Sequence, residues 1–258
     1  MKVAMIQMQV KAGDVQANRQ RGLALAREAA SLADVLVLPE IWTTGYHLKE
    51  LDRWAEEEDG PTVNELKEIA RAHEVWIVAG SLPVRRVEGV TNTMFVLAPN
   101  GTIAAQYDKI HMFSLYGEGR FFQPGAKQTV FPLAGTQAGL AICYDIRFPE
   151  LFRSLTLAGA EVVFVAAEWP AVRSAHWRLL SQARALENQV FIIAVNCVGE
   201  HKGIVFHGHS LLVSPEGEIL AEGTDKEEIV LGEVDLAAVG KARQSLTVWQ
   251  DRRPDLYT

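Results

Sequence analysis

The chain has 258 residues, 48% of them hydrophobic and 22% charged, which suits one large soluble domain with a sizeable core. Its net charge of −7 and its lack of any Lys/Arg cluster exclude a nucleic-acid footprint. Two cysteines make no disulfide framework and suit a reducing compartment, and no apolar run approaches the ~20 residues that span a bilayer.

In chain order, residues 2–10 read as a first strand. Gln7 and Gln9 break the apolar run and no small-residue cleavage site follows, so this is no signal peptide, and a cytoplasmic protein is expected. Alanines and leucines at helical spacing predict a helix over 15–33. The continuous apolar run 35–38 reads as a buried strand. A helix over 62–73 and a strand over 75–80 come next. Residues 93–98 and 102–107 flank Pro99-Asn100-Gly101 as a hairpin. A strand is expected over 161–167, a helix over 178–188 and a strand over 190–195. A second hairpin spans 210–213 and 218–220 around Pro215-Glu216-Gly217. No Gly/Ser-rich or Pro-rich linker divides this series, so residues 1–258 are expected to form one domain.

The series repeats itself. Helix, strand and Pro-x-Gly hairpin occur over 66–103 and again over 180–219. Residues 35–40 and 163–168 are both apolar runs that close on a glutamate. Two similar α-β halves follow, with two mixed sheets face to face and helices outside. One doubly wound sheet is the alternative, but hairpins in each half argue against a purely parallel sheet.

Strand ends are where open α/β sheets present reactive groups. The run Gly139-Leu140-Ala141-Ile142 ends at Cys143, and a polar turn follows. Leu38-Pro39 ends at Glu40, and the first hairpin ends at Lys109. Taken singly, these are a small core hydrophobe, a loop carboxylate and a surface charge. Together they supply a nucleophile, a base for its proton and a cation for developing negative charge.

Leu38-Pro39-Glu40, Tyr107-Asp108-Lys109-Ile110-His111 and Cys143-Tyr144-Asp145-Ile146-Arg147-Phe148-Pro149-Glu150 resemble the three signatures of the nitrilase superfamily, the carbon–nitrogen hydrolases. The resemblance extends to Arg184-Ala185-Leu186-Glu187-Asn188-Gln189, Gly208-His209-Ser210 and Arg252-Arg253-Pro254-Asp255-Leu256-Tyr257, so it spans nearly the whole chain. It implies a four-layer α-β-β-α sandwich with internal pseudo-two-fold symmetry. It also implies cysteine chemistry through a thioester, with Glu40 as base, Cys143 as nucleophile, and Lys109 with the Tyr144 N–H as oxyanion donors. Glu118 is the candidate for the second glutamate that the family places after its lysine. No cofactor or metal is implied.

The context of Cys143, together with Glu168-Trp169-Pro170 and His176-Trp177-Arg178, is most similar to the omega-amidase branch. That branch implies a small-molecule amide substrate with a distant carboxylate, such as 2-oxoglutaramate or 2-oxosuccinamate. Arg147, Arg173 and His176 are candidates for the carboxylate, although Arg147 could instead brace the turn through Asp145. Phe113, Tyr116, Tyr144 and Trp169 are candidates for the pocket wall. Tyr144-Asp145 stands where nitrilases often carry Trp-Glu after the cysteine, which favours amides over nitriles. An N-carbamoyl amino-acid hydrolase shares the same triad and stays open. A binding protein on this fold is disfavoured because all of Glu40, Lys109 and Cys143 are present. The acyltransferase relatives are membrane proteins with added helices.

Other signals read as structural. His207-Gly208-His209 lacks further ligands at zinc-like spacing, Cys197 reads as core, Glu168 as at most a pocket-lining residue, and Glu56-Glu57-Glu58-Asp59 as a solvated helix end. The resemblance implies at least a homodimer. Leu151-Phe152-Arg153 and Val248-Trp249-Gln250 suit either its interface or the cover of the chain's own core.

Overall fold

In β1 (Lys2–Gln7), Val3 and Met5 point one way and Ala4 and Ile6 the other, and all four are fully buried. A strand buried on both faces needs a layer on each side. The computed structural model, which describes residues 1–256, supplies both. Val3 and Met5 join a core shared with a second sheet, while Ala4 and Ile6 pack with the apolar stripes of two helices.

The first half comprises β1, α1 (Val15–Ala29), β2 (Val35–Val37), the short α2 (Leu51–Trp54), α3 (Pro61–His73), β3 (Trp76–Arg86), β4 (Gly89–Leu97) and β5 (Ile103–Asp108). Asp14 caps α1 by accepting from the Ala17 N–H, and Pro61 opens α3, where its missing N–H costs nothing. The second half comprises β6 (Val130–Leu133), β7 (Thr136–Ile142), α4 (Pro149–Leu157), β8 (Val162–Ala167), α5 (Ser174–Asn188), β9 (Phe191–Asn196), β10 (Val198–His201), β11 (Ile204–His207), β12 (Leu211–Val213), β13 (Ile219–Glu222), β14 (Glu228–Glu233) and α6 (Ala237–Ser245).

Among the described residues, one six-stranded sheet runs β14-β1-β2-β3-β4-β5 and a second runs β13-β12-β9-β8-β7-β6. Each has three parallel central strands, β1-β2-β3 and β7-β8-β9. Each is extended by antiparallel strands on both sides. The sheets pack face to face, with α1 and α3 outside the first and α4 and α5 outside the second. This is the four-layer α-β-β-α sandwich, and β2 and β8 occupy equivalent places in its two halves. Each fully buried Val, Leu, Ile or Phe contributes about 1.5–3 kcal/mol, so the mid-sandwich interface dominates stability.

Several elements differ from the sequence reading. The first strand stops at Gln7 because its side chain turns inward. Gln7 Nε2 donates to the Thr224 and Lys226 carbonyls, and Oε1 accepts from Ser210. Strand β3 continues past residue 80 to Arg86 and pairs with β4 through a turn at Val87 and Glu88, with its register shifted at Gly80. Strands β6, β10, β11 and β14 and helix α6 carry too weak a periodicity to be read. The acidic run 56–59 follows the end of α2 with Glu57, Glu58 and Asp59 exposed, as read, but it is also engaged. Glu56 accepts from the Thr62 N–H and hydroxyl at the start of α3, and Glu58 pairs with Arg86. Leu151 and Phe152 lie in the chain's own core, not at a surface. Trp249 is flanked by the guanidinium groups of Arg153, Arg243 and Arg252. Tyr257, the last residue of the tail motif, lies outside the described residues. Among the described residues no helix is long and apolar enough to cross a membrane.

Candidate active site

The groups singled out in sequence meet where the two sheets present the carboxyl ends of their strands. Glu40 follows β2, Lys109 follows β5, Cys143 follows β7, and Glu118 lies in a 3-10 turn beyond β5. All four are buried.

Lys109 Nζ lies 2.8 Å from Glu40 Oε1 and 2.8 Å from Glu118 Oε1. Asn92 Nδ2, from β4, donates to Glu40 Oε1 at 3.0 Å. The Glu168 N–H donates to Glu40 Oε2 at 3.0 Å, and the Phe113 N–H donates to Glu118 Oε2 at 2.6 Å. Every carboxylate oxygen of Glu40 and Glu118 therefore has a donor. The buried Cys143 thiol feels the charges of both Glu40 and Lys109.

Charge follows from this arrangement. Burial alone would strip the Lys109 proton, but Glu40 and Glu118 outweigh it and hold the ammonium more firmly charged than a free lysine. Burial raises the Glu40 carboxyl above the ordinary carboxylate range, and Lys109 only partly opposes it. Burial, reinforced by the Glu40 charge, raises the Cys143 thiol well above its ordinary value. At neutral pH Cys143 thus rests as a thiol beside a carboxylate, not as a free thiolate.

Cys143 has φ +48°, a left-handed conformation that costs a non-glycine residue roughly 1–2 kcal/mol. Asp145 holds it there. Its carboxylate accepts from the Ile142 N–H at 2.8 Å, the Tyr107 hydroxyl at 2.7 Å and the His111 N–H at 3.1 Å, and it meets His111 Nδ1 at 2.7 Å. The β5 end that carries Lys109 is thereby tied to the turn that carries Cys143. Arg147 takes no part in this bracing. Its guanidinium lies over Trp169, 4.8 Å from the ring centre, and contacts His176 Nδ1 at 3.2 Å.

A narrow cleft with about 290 Å³ of empty space opens from Cys143, and Phe113, Tyr116, Tyr144, Arg147, Trp169 and Arg173 line it. His176 stands behind Arg147 and does not line it. Phe113 packs edge-on against Tyr116 with centroids 4.8 Å apart, and Arg173 sits 5.8 Å from the Phe113 ring centre. Sequence reasoning missed Tyr46, Pro170 and Asn92 at the site. It had Tyr107 and His111 within its motifs without a role, and it paired Asp145 with Arg147 alone. Nothing local marks these residues, because pairing between distant strands creates their positions. Cys197 is fully buried in the apolar core around α1 and α3. His209 pairs with Glu222, an acidic partner that sequence spacing did not reveal. Among the described residues no three His, Cys, Asp or Glu side chains gather as metal ligands.

A thiol, a paired base and a buried ammonium at the strand ends of this sandwich define a class. The carbon–nitrogen hydrolase family model matches residues 2–244, and the chain belongs to that family, within the nitrilase superfamily. It is a hydrolase of carbon–nitrogen bonds other than peptide bonds. It is 42% identical over 255 residues to 2-oxoglutaramate amidase of Bacillus subtilis, covering 99% of this chain and 98% of that one. It is 33% identical over 266 residues to human omega-amidase NIT2, covering 99% and 96%. The solved amidase of Nesterenkonia sp. AN1 superposes with a TM-score of 0.88 at 27% identity, covering 100% of this chain and 95% of that one. In that structure the acetamide moiety of fluoroacetamide is covalently added at the active-site cysteine.

Proposed function

We propose that this protein hydrolyses the terminal amide of a dicarboxylic or 2-oxo acid, with 2-oxoglutaramate as the leading substrate. One observation carries the reading. The cleft that opens from the buried Cys143 thiol is also lined by the Arg147 and Arg173 guanidinium groups. A guanidinium pairs a carboxylate in bidentate fashion, so an acid that carries both an amide and a carboxylate matches both kinds of group in the cleft. The full-length similarity to 2-oxoglutaramate amidase supports the same substrate.

The mechanism follows from the groups. Glu40 takes the Cys143 proton as sulfur attacks the amide carbon. The tetrahedral oxyanion is held by the Lys109 ammonium and the Tyr144 N–H, donors typically worth about 3 kcal/mol each. Glu40 returns the proton to nitrogen, ammonia leaves, and a thioester remains on Cys143. Water that yields its proton to Glu40 then releases the acid and restores the thiol. Glu118 keeps Lys109 placed while Glu40 changes charge.

The chain acts as one domain and as at least a homodimer in this reading. The exposed Leu157 of α4, Leu179 and Leu186 of α5 and Leu246 after α6 support self-association, in place of the buried Leu151 and Phe152. Two free, buried cysteines support a reducing cytoplasm.

The test is ammonia release from 2-oxoglutaramate, succinamate, a neutral short amide, an N-carbamoyl amino acid and a simple nitrile, using the wild type and Cys143→Ala. Release from the dicarboxylate monoamides that disappears in the variant is expected. Preference for the carbamoyl compound or the nitrile would move the protein to another branch.

A further inference from the structure

We infer that Glu168 is a specificity residue, a neutral carboxyl that donates a hydrogen bond to the 2-oxo oxygen of the substrate's acyl chain. The inference rests on the omega-amide reading above and goes beyond it, because it assigns a preference for 2-oxo acids to one side chain.

Glu168 follows β8 at the place equivalent to Glu40 after β2, and the resemblance assigned it no chemistry. Its backbone is fixed on both sides. Its own N–H binds Glu40 Oε2, and the Trp169 N–H donates to Asn196 Oδ1 at 2.7 Å. Glu168 is 2% exposed, yet its Oε2 has no hydrogen-bond partner in the protein. Glu168 lines the same cleft as Cys143, Arg147 and Arg173. A buried oxygen without a partner is costly to keep, so a site that retains one invites a ligand to complete it.

Charge counting gives its state. Around Glu168 stand Glu40, Lys109, Cys143 and Cys197, with Tyr46 at its back and Arg147 and Arg173 elsewhere along the cleft. Lys109 is already shared by Glu40 and Glu118. A third carboxylate would be buried with no cation of its own, which favours the protonated acid. Burial and the Glu40 charge both push Glu168 well above the ordinary carboxylate range, in agreement with that count. A proton on the unpartnered Oε2 makes Glu168 a donor into the cleft.

The position of this donor selects its acceptor. The scissile amide oxygen belongs to Lys109 and Tyr144, and the distal carboxylate belongs to the guanidinium groups. The acceptor left on a 2-oxo acid for a neutral donor in the cleft shared with Arg147 and Arg173 is the 2-oxo oxygen, which lies next to the distal carboxylate. A site built to hydrogen-bond such an oxygen discriminates strongly against the analogue that lacks it.

Steady-state hydrolysis of 2-oxoglutaramate and of glutaramate, the same acid without the 2-oxo group, tests this with wild type, Glu168→Gln and Glu168→Leu. Infrared spectra at neutral pH report the protonated-carboxyl C=O stretch. We expect Glu168→Gln, which keeps a neutral donor, to hold the wild-type preference for the oxo acid within about threefold. Glu168→Leu should lower that preference roughly 10- to 100-fold, mainly through KM. The infrared band should be present in wild type and lost in Glu168→Gln. Equal losses on both substrates in Glu168→Leu, a Gln variant as impaired as the Leu variant, or no protonated band would each overturn the inference. If wild type hydrolyses neither acid, the omega-amide reading falls separately, and the band alone decides whether Glu168 is the neutral donor.

Discussion

The Lys109 ammonium lies 2.8 Å from the Glu40 carboxylate, and neither side chain is exposed to solvent. A buried ion pair of this kind adds little net stability, because desolvation consumes most of the Coulombic gain. Its value lies in placement. It holds a base and a cation on opposite strands of the first sheet while the second sheet brings the thiol to them. The consequences can be measured.

Glu118 contacts Lys109 with both oxygens, at 2.8 and 2.9 Å, and accepts from the Phe113 N–H. Glu118→Ala leaves a buried ammonium with one partner fewer and a backbone donor with none, and should cost about 3–5 kcal/mol in denaturant unfolding. Glu118→Gln should fold and lose about 10²–10³ in kcat with little change in KM, because it loosens an oxyanion donor without touching the acyl chain. An unchanged kcat in the Gln variant would remove Glu118 from the mechanism.

Gly80 has φ +60°, and a Cβ there would stand 2.0 Å from the Pro39 carbonyl oxygen. That carbonyl accepts from the Ser81 N–H, and the Ser81 hydroxyl accepts from the Ile41 N–H, so the turn around Glu40 rests on Gly80. Gly80→Ala should cost about 2–4 kcal/mol of stability through strain and overpacking. It should also lower kcat by moving Glu40. Thermal unfolding and steady-state kinetics check both, and full activity in this variant would contradict the close approach.

Arg173 should matter for charge and not for chemistry. Arg173→Ala should raise KM for a dicarboxylate monoamide by about 10- to 100-fold while a neutral short amide changes little, since a bidentate guanidinium–carboxylate pair is a strong charge-assisted contact. Equal effects on both amides would end its assignment to the distal carboxylate.

Glu168 has its folded-state pKa raised by burial and by the Glu40 charge. A carboxyl of this kind keeps its proton in the native state while the unfolded chain has already lost it. Stability therefore falls as pH rises from the ordinary carboxylate range near ~4.3 toward the raised native value. Glu168→Gln removes one such group, so it should raise Tm more at pH ~8 than at pH ~5. Calorimetry at the two pH values decides this, and a gain confined to acid pH would show that Glu168 is ionised in the native state.

The sequence carried the sandwich because its central strands are continuous apolar runs and its two halves repeat the same order. Residues 35–40 and 163–168, aligned by pattern alone, do end equivalent strands β2 and β8. The run of β3 past Gly80 was hidden because Pro83, Arg85 and Arg86 do not look like a strand interior. Glu40, Lys109, Cys143 and Glu118 were legible as residues, and their contact is a property of the paired sheets. Asp145 had been weighed only as a partner for Arg147. Its real partners, Tyr107 in β5 and His111 just beyond it, belong to the other sheet and meet it only through the tertiary fold. His176 illustrates the converse, since a plausible cation in sequence turns its ring to Arg147 and stays outside the cleft.

The most direct measurement is the mass of the protein quenched by acid during turnover of 2-oxoglutaramate, followed by peptide mapping, in wild type and Cys143→Ala. The account predicts a transient gain equal to the substrate less ammonia, located on Cys143, with adduct and ammonia release both absent from the variant. Ammonia release that persists in Cys143→Ala, or an adduct on any other residue, would contradict it.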